Sequence, residues 1–457
     1  MTARRRRAKP WAKRPRPGAR ELALQTIVAV ESRSAFSDRL LETRLRDSGL
    51  SPEDSRLVTA LVQGTLRHRA TLDHHLKSFT RGGWEDLTPW IRGALRLAAF
   101  QILYLDRVPA SAAVDESVEL AKRYGHPGTA GLVNAVLRRL AGGDRAPMPD
   151  RDAHPIEHLS ILHSHPTWII ERWVARYGRE GAERLLEADN GEPPASLHPN
   201  ALRASNEEVL ARLRAEGFSP EPGPNGGPVL VIRGGFVASR SDAFREGLVS
   251  LQDEAESAVV SLLGARPTER ALDLCAAPGG KTAQIAEAVG PGGMVVAMER
   301  HPSRARALRE NVNRRLGIAH AHVLCADGAR LPLRGTFDRV LVDAPCSGLG
   351  VLRRRADARW RKDPSTIAAL AALQRPLVES AAGLVRPGGV LVYSVCSLEP
   401  EETVEIVEPF LRDHPAFTHE DADPHLPPGF RSGARNLTAW PPRHGTDGVF
   451  AARLRRR

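Results

Sequence analysis

Beyond about residue 250 the chain alternates short, almost wholly apolar runs with longer helix-like segments, and few folds accept that rhythm. The runs are ALDLCAA, MVVAME, HVLCAD, FDRVLVDA and GVLVYSVCS, and the segments between them include SRARALRENVNRRLG and TIAALAALQRPLVESAAGLV. Strands that are apolar along their whole length are buried on both faces, and helical crossovers supply the cover, so a Rossmann-like, doubly wound α/β sheet is expected. The tail from ARNLTAWPP to DGVFAARL is expected to add a closing hairpin.

The earlier part of the chain has a different period. Leu57, Val58, Leu61, Val62 and Leu66 recur at helical spacing, as do Leu95, Ala98, Ala99, Ile102 and Leu103, and again Leu132, Val133, Val136, Leu137 and Leu140. Five or so amphipathic helices over residues 21–140 predict an all-α bundle. GGDRAPMPDRDAHP (142–155) breaks the pattern, and the stretch from HPTWIIERWVARYG through SLHPNALRAS to PVLVIRG reads as a small α+β module. A chain of 457 residues exceeds a single ordinary core. The expected organisation is therefore multidomain: a disordered basic arm (1–20), the bundle (21–145), a linker and small module (146–245) and the α/β domain (246–457).

Charge is concentrated at the ends. Of the net +11, nine Lys and Arg without an acid lie in residues 1–20 and four Arg in RLRRR (453–457), which leaves −2 for the rest. Basic tails attract phosphate backbones without reading sequence, and salt weakens them. No run approaches eighteen apolar residues, so no membrane partner is expected. Cys275, Cys325, Cys346 and Cys396 form no CxxC pair. No metal site or disulfide framework is expected, and a reducing cytoplasm is the natural compartment.

LDLCAAPGGKT (272–282) ends like a phosphate loop. That loop requires a Gly, four intervening residues and then Gly280-Lys281-Thr282; Cys275 stands where the first Gly should, and Pro278 has no N–H to offer a phosphate. A tight glycine turn in a Rossmann-like sheet is the better reading, with acids closing the following strands: Glu299 the second, Asp327 the third and Asp343 the fourth. Without GxGxxG, that set suits S-adenosylmethionine better than a dinucleotide. Cys346 in DAPCSGLG and Cys396 in YSVCSLEPEE both follow strand ends, where open sheets bind ligands; Ser397 is expected to cap a helix starting near Pro400 and so favour a Cys396 thiolate. Beside a methyl donor, a thiolate that adds to carbon 6 of cytosine makes carbon 5 nucleophilic, and a second thiol assists release. Asp343 is suited to the ring edge. The residues alone leave open which thiol attacks. RRRADARWRK (353–362) reads as an RNA-backbone contact with one aromatic for stacking.

LDLCAAPGGKT, DAPCSGLGVLRRRADARW, YSVCSLEPEE, PPRHGTDGVFAARL and FREGLVSLQDEAE together resemble the Sun/Fmu-type 16S rRNA cytosine-5 methyltransferases of the wider NOL1/NOP2/Sun family. ARELALQTIVAV and DSRLVTALVQGTLRH resemble the NusB-like RNA-binding bundle that this subfamily carries. The resemblance implies Cys396 as the nucleophile and Cys346 as the thiol of product release. For the cofactor it implies Cys275, Ala276, Ala277, Pro278, Gly279, Gly280 and Lys281, then Glu299, Arg304, Asp327 and Asp343. At the second strand the usual residue is Asp, and Glu299 is one methylene longer. The implied substrate is 16S rRNA, naked or partly assembled, handled by a monomer. A tRNA substrate, or a non-catalytic RNA-binding factor of antitermination type, are the alternatives.

Overall fold

The structure, a computed structural model, describes residues 17–33, 37–80 and 82–457. They form two compact units, one ending at His165 and one running from Pro166 to Arg457. Most of the expected N-terminal arm (1–16) lies outside the described residues, whereas Ala19 and Arg20 already belong to the first helix, and Arg20 Nε donates to Gln101 Oε1 at 2.8 Å.

The first unit is all helical: α1 (Ala19–Arg33), α2 (Ser37–Ser48), α3 (Pro52–Arg67), α4 (Arg69–Phe79), α5 (Pro89–Tyr104), α6 (Ala110–Tyr124), α7 (Pro127–Ala141) and α8 (Pro155–His163). Ser51 starts α3 by accepting from Asp54 N, and Pro52 and Pro89 occupy first-turn positions where a missing N–H costs nothing. The apolar α5 runs through the centre, with Ala94, Leu95, Leu97, Ala98 and Ala99 buried. Gly64 lets α3 approach it, because a Cβ there would lie 1.9 Å from Phe100 Cζ. Buried Arg96 is held by Asp73 (2.6 and 2.7 Å) and Glu31 (2.7 Å). Two more helices lie within the bundle than periodicity predicts. The α2 sequence is mostly polar, and α4 follows α3 after His68 alone, so the pair reads as one run. Helix α8 belongs with this unit: Thr71 donates to Ile161 O at 2.5 Å, and Ala70 N to Ser164 Oγ at 2.9 Å.

The second unit opens with α9 (Thr167–Asn190), divided by Gly178 at φ 69°. β1 (Ala195–Pro199), α10 (Asn206–Ala215), β2 (Glu221–Pro222), β3 (Leu230–Ile232), α11 (Asp242–Arg245) and β4 (Val249–Leu251) follow. Their antiparallel sheet, ordered β2-β3-β1-β4, is the small α+β module. Next come α12 (Glu254–Leu263), β5 (Arg270–Leu274), α13 (Gly280–Val289), β6 (Met294–Glu299), α14 (Pro302–Arg309), β7 (Ala321–Cys325), β8 (Phe337–Asp343), α15 (Pro364–Ala382), β9 (Val385–Val395), α16 (Val404–Asp413), β10 (Phe417–Glu420), β11 (Leu437–Ala439), α17 (Pro441–His444) and β12 (Val449–Arg456). The large sheet is ordered β10-β12-β9-β8-β5-β6-β7, with β5 to β9 parallel and β12 antiparallel to β9; β11 closes a hairpin on β12. Strand order reverses between β5 and β8, and the crevice at the C-terminal ends of such strands is where ligands bind.

The C-terminal arginines are not a free tail. Arg453 is buried, with Nε on Glu420 at 2.7 Å and Nη1 on Leu262 and Leu263 carbonyls, and Arg456 bonds Val385 O at 2.6 Å. The carboxylate and carbonyls that recruit them are distant in sequence, so local charge alone misplaced them. Among the described residues no helix is long and apolar enough to cross a membrane.

Candidate active site

The glycine turn leaves β5 with Cys275 at φ 65°, reaches Gly279 at φ 106° and enters α13 at Gly280. A Cβ on Gly279 would lie 2.6 Å from Val312 and 2.8 Å from Leu308, so the residue must be glycine for both angle and room. Ala276 N bonds Met298 O at 2.7 Å, and Asn311 Nδ2 bonds Pro278 O at 2.7 Å, fixing the turn against β6 and the helix beyond it. Glu299, buried at the end of β6, accepts from His301 N at 2.9 Å and pairs with Arg304 at 3.1 Å. Arg304 also donates to Ala277 O at 3.1 Å and so joins the acid to the loop. Asp327, past β7, accepts from Ala329 N at 3.0 Å and lies 3.7 Å from Arg300. Lys281 points back across the β5–β8 crevice to Asp343 at 2.8 Å and pairs with Glu256 of α12; Asp343 also accepts from Ser394 Oγ at 2.9 Å. A cradle with no room for a Cβ, next to a buried carboxylate at the second strand end, fits a small charged nucleoside such as S-adenosylmethionine. Beneath the turn, burial pushes Asp273 up to about 7; Thr282 donates to one oxygen at 2.6 Å, and the other has no partner.

Two thiols meet at the other side of the crevice. β8 and β9 are parallel neighbours in register at Asp343 and Ser394, and the chains leaving them bring Cys346 Sγ to 3.1 Å from Cys396 Sγ. The two are driven apart in acidity. The shared hydrogen bond, then burial, raises Cys346 well above the usual thiol range; the same bond lowers Cys396, against burial and the Asp343 charge, with help from Lys281 and Arg355. Cys275 is pushed up to about 12 by burial and the surrounding acids, which suits packing rather than nucleophilic attack. Cys325 is exposed at the end of β7.

The expected helix cap at Ser397 is absent: Pro400–Glu402 is a short 3-10 turn, α16 starts only at Val404, and Ser397 Oγ accepts from Glu399 N at 3.2 Å. Cys396 therefore owes its acidity to its neighbouring thiol and cations, not to a helix end. The residue that sequence reasoning missed is Glu402. Fully buried, it accepts from Ser347 N (2.7 Å), Ser347 Oγ (2.5 Å) and Gln374 Nε2 (3.2 Å), while Tyr393 donates to its carbonyl at 2.6 Å. It clamps the loop carrying Cys346, and as one of three acids in LEPEE it had no local signal. Glu256 was missed for the same reason.

Most of the arginines in the basic run 353–362 are turned inward, while Arg355 is exposed and Trp360 and Lys362 are half-exposed. Arg354 bridges Asp253 (2.7 Å) and Asp447 (2.8 Å), Arg353 bonds Gly445 O at 2.8 Å, fully buried Arg359 bonds Asn190 Oδ1 at 2.9 Å, and Arg361 pairs with Asp357 at 2.5 Å. The partners of Arg353, Arg354 and Arg359 come from far along the chain, whereas Asp357 is one turn from Arg361, and these four arginines brace the site.

A doubly wound sheet with strand order β7-β6-β5-β8-β9, a glycine turn after β5 and an acid closing β6 defines a methyltransferase fold. Residues 260–455 match the family described as 16S rRNA methyltransferase RsmB/F, 17–142 the NusB family, and 165–236 the ferredoxin-like domain of RsmF/B-like methyltransferases. The Bacillus subtilis protein named "Probable ribosomal RNA small subunit methyltransferase B" is 36% identical over 445 residues, covering 96% of this chain and 98% of its own. The Serratia proteamaculans ribosomal RNA small subunit methyltransferase B is 33% identical, covering 89% and 91%. Among solved structures, PH0851 superposes with a TM-score of 0.81 at 29% identity over 95% of this chain and 98% of that one. The chain belongs to the ribosomal RNA small subunit methyltransferase B (RsmB/F) family, and its methyl donor is S-adenosylmethionine.

Proposed function

We propose that this enzyme methylates carbon 5 of a cytosine in 16S rRNA through a covalent bond between Cys396 and carbon 6. The observation that carries the reading is the pair of sulfurs 3.1 Å apart with acidities pushed in opposite directions. A methyltransferase acting on nitrogen or oxygen has no use for a thiolate and a thiol side by side.

In this reading the backbone of Cys275–Lys281, Glu299 and Asp327 would hold S-adenosylmethionine, Glu299 meeting its ribose hydroxyls with Arg304 positioning that carboxylate. The bound cofactor supplies an electrophilic methyl group. The Cys396 thiolate forms a sulfur–carbon bond at carbon 6, the C5=C6 electron pair moves onto carbon 5 and into the ring, and Asp343, oriented by Lys281 and Ser394, accepts from the cytosine amino group at the ring edge. Carbon 5 uses that pair to take the methyl. Loss of the carbon 5 proton to a base, a step that Cys346 assists, re-forms the double bond and expels Cys396 as thiolate, which regains the hydrogen bond from Cys346. A stacked base cannot reach the crevice, so the target is single-stranded or turned out, which favours naked or partly assembled RNA.

The test is transfer from methyl-labelled cofactor to purified 16S rRNA or tRNA, followed by digestion to nucleosides. Label in 5-methylcytidine from 16S rRNA alone is expected. Label in another nucleoside, or only in tRNA, overturns the reading.

A further inference from the structure

The mechanism leaves one surface feature beside the thiols without a task. Tyr177 on α9 and Trp440 just before α17 are both half-exposed, with ring centroids 4.6 Å apart and planes tilted by 57°. The exposed Arg176 guanidinium lies 4.9 Å from the Tyr177 centroid, and its Nη1 donates to the carbonyl of Leu398, two residues past Cys396. Arg443, also exposed, bonds only Arg431 O at 3.5 Å. Neither cation has a carboxylate partner among the described residues. The acids nearest Arg176, Glu399 and Glu401, are taken by Arg172 at 2.7 and 2.8 Å, and Trp173 Nε1 also donates to Glu399 at 3.0 Å.

Aromatic faces set among guanidiniums without counter-ions are what a single nucleic-acid strand uses: bases stack on the rings and phosphates meet the cations. Here they are tied to the loop that carries Cys396. We propose that Tyr177 and Trp440 form a stacking platform for an RNA base flanking the target cytosine, with Arg176 and Arg443 meeting the adjoining phosphates. Within the basic run 353–362, from which such a contact was expected, Arg353, Arg354, Arg359 and Arg361 are held by partners inside the fold, and this platform adds a second surface to the exposed Arg355 and half-exposed Trp360. The proposal rests on a single-stranded RNA entering at the thiols, but not on which carbon is methylated.

The experiment measures binding of the full-length protein to a twelve-nucleotide oligocytidylate and to an abasic ribose-phosphate chain of equal length, by fluorescence anisotropy. Trp440→Leu should weaken oligocytidylate binding roughly 5- to 100-fold, and Trp440→Phe should restore most of it. Both variants should bind the abasic chain as wild type does and keep its affinity for S-adenosylmethionine. Arg443→Gln should lower the slope of log affinity against log salt by about one on both chains. Equal losses for Trp440→Leu on the two chains, failure of Trp440→Phe to restore binding, or a parallel loss of cofactor affinity would each make Trp440 a packing residue and overturn the proposal. Methyl transfer is not read, so a failure of the cytosine-5 reading shows elsewhere.

Discussion

Asp273→Asn should make the catalytic unit more stable at pH 8 relative to wild type than it does at pH 5. Asp273 is buried under the glycine turn with one oxygen bonded to Thr282 and the other without a partner, and burial raises it from an ordinary 3.8 to about 7. A raised carboxylate means that the native state holds more protons than the unfolded chain between those two values. Stability therefore falls as pH rises through the window, and the full penalty is present above about 7. Three units correspond to about 4 kcal/mol, of which about 1.5 kcal/mol is already present at pH 5. Asn does not titrate and can still accept the Thr282 hydroxyl, but its amide adds donors to a spot without acceptors, costing about 1–3 kcal/mol at every pH. That cost cancels between the two pH values, so the variant's stability relative to wild type should rise by about 2–3 kcal/mol from pH 5 to pH 8. Asp447, raised to about 6 by burial and by Asp253, adds a slope of the same sign in both proteins and also cancels. Urea unfolding followed by hydrogen exchange on peptides spanning β5 reads this unit alone. An identical pH dependence in both proteins would refute the reasoning and mean that Asp273 stays ionised in the fold.

The thiols should differ in reactivity in the same direction as their acidity. With iodoacetamide and peptide mass spectrometry on the free enzyme, Cys396 should be alkylated at lower pH than Cys346, and Cys396→Ala should shift Cys346 labelling to lower pH by removing the bond that raises it. The reverse order would assign the thiolate to the wrong sulfur. Gly279→Ala should cost at least tenfold in S-adenosylmethionine affinity, measured by calorimetry, because its Cβ meets Val312 and Leu308 at 2.6 and 2.8 Å at a φ of 106°. Gly290→Ala also has a positive φ, 65° with ψ 179°, a region open essentially to glycine, but open space around it, so it should cost about 1–3 kcal/mol of stability with cofactor affinity unchanged. Equal effects on cofactor affinity would remove the glycine turn from the binding site.

What could be read before the fold was known follows a physical division. Strands β5, β6, β8 and β9 are buried along most of their length, so their apolar runs stand out without any neighbour being known, edge strand β7 is half-exposed yet carries the same apolar pattern, and the acids at 299, 327 and 343 mark the strand ends. The meeting of Cys346 and Cys396 depends on β8 lying beside β9, which is a property of strand order and not of either stretch. The same holds for Glu402, whose partners Ser347 and Gln374 lie on other elements. The arginines of 353–361 and 453–456 were misread because charge along a sequence does not reveal counter-ions folded in from elsewhere: Asp253 and Asp447 for Arg354, Glu420 for Arg453. The separate roles of the two cysteines came from family resemblance; what the structure adds is the unequal sharing of one hydrogen bond between them.

The most direct test of the mechanism compares Cys346→Ala with Cys396→Ala, each incubated with 16S rRNA and S-adenosylmethionine and run on a denaturing protein gel. Covalently held RNA on Cys346→Ala, with none on Cys396→Ala, is the predicted result, because the adduct forms through Cys396 and cannot be released without Cys346. RNA trapped only on Cys396→Ala, or on neither, would contradict it.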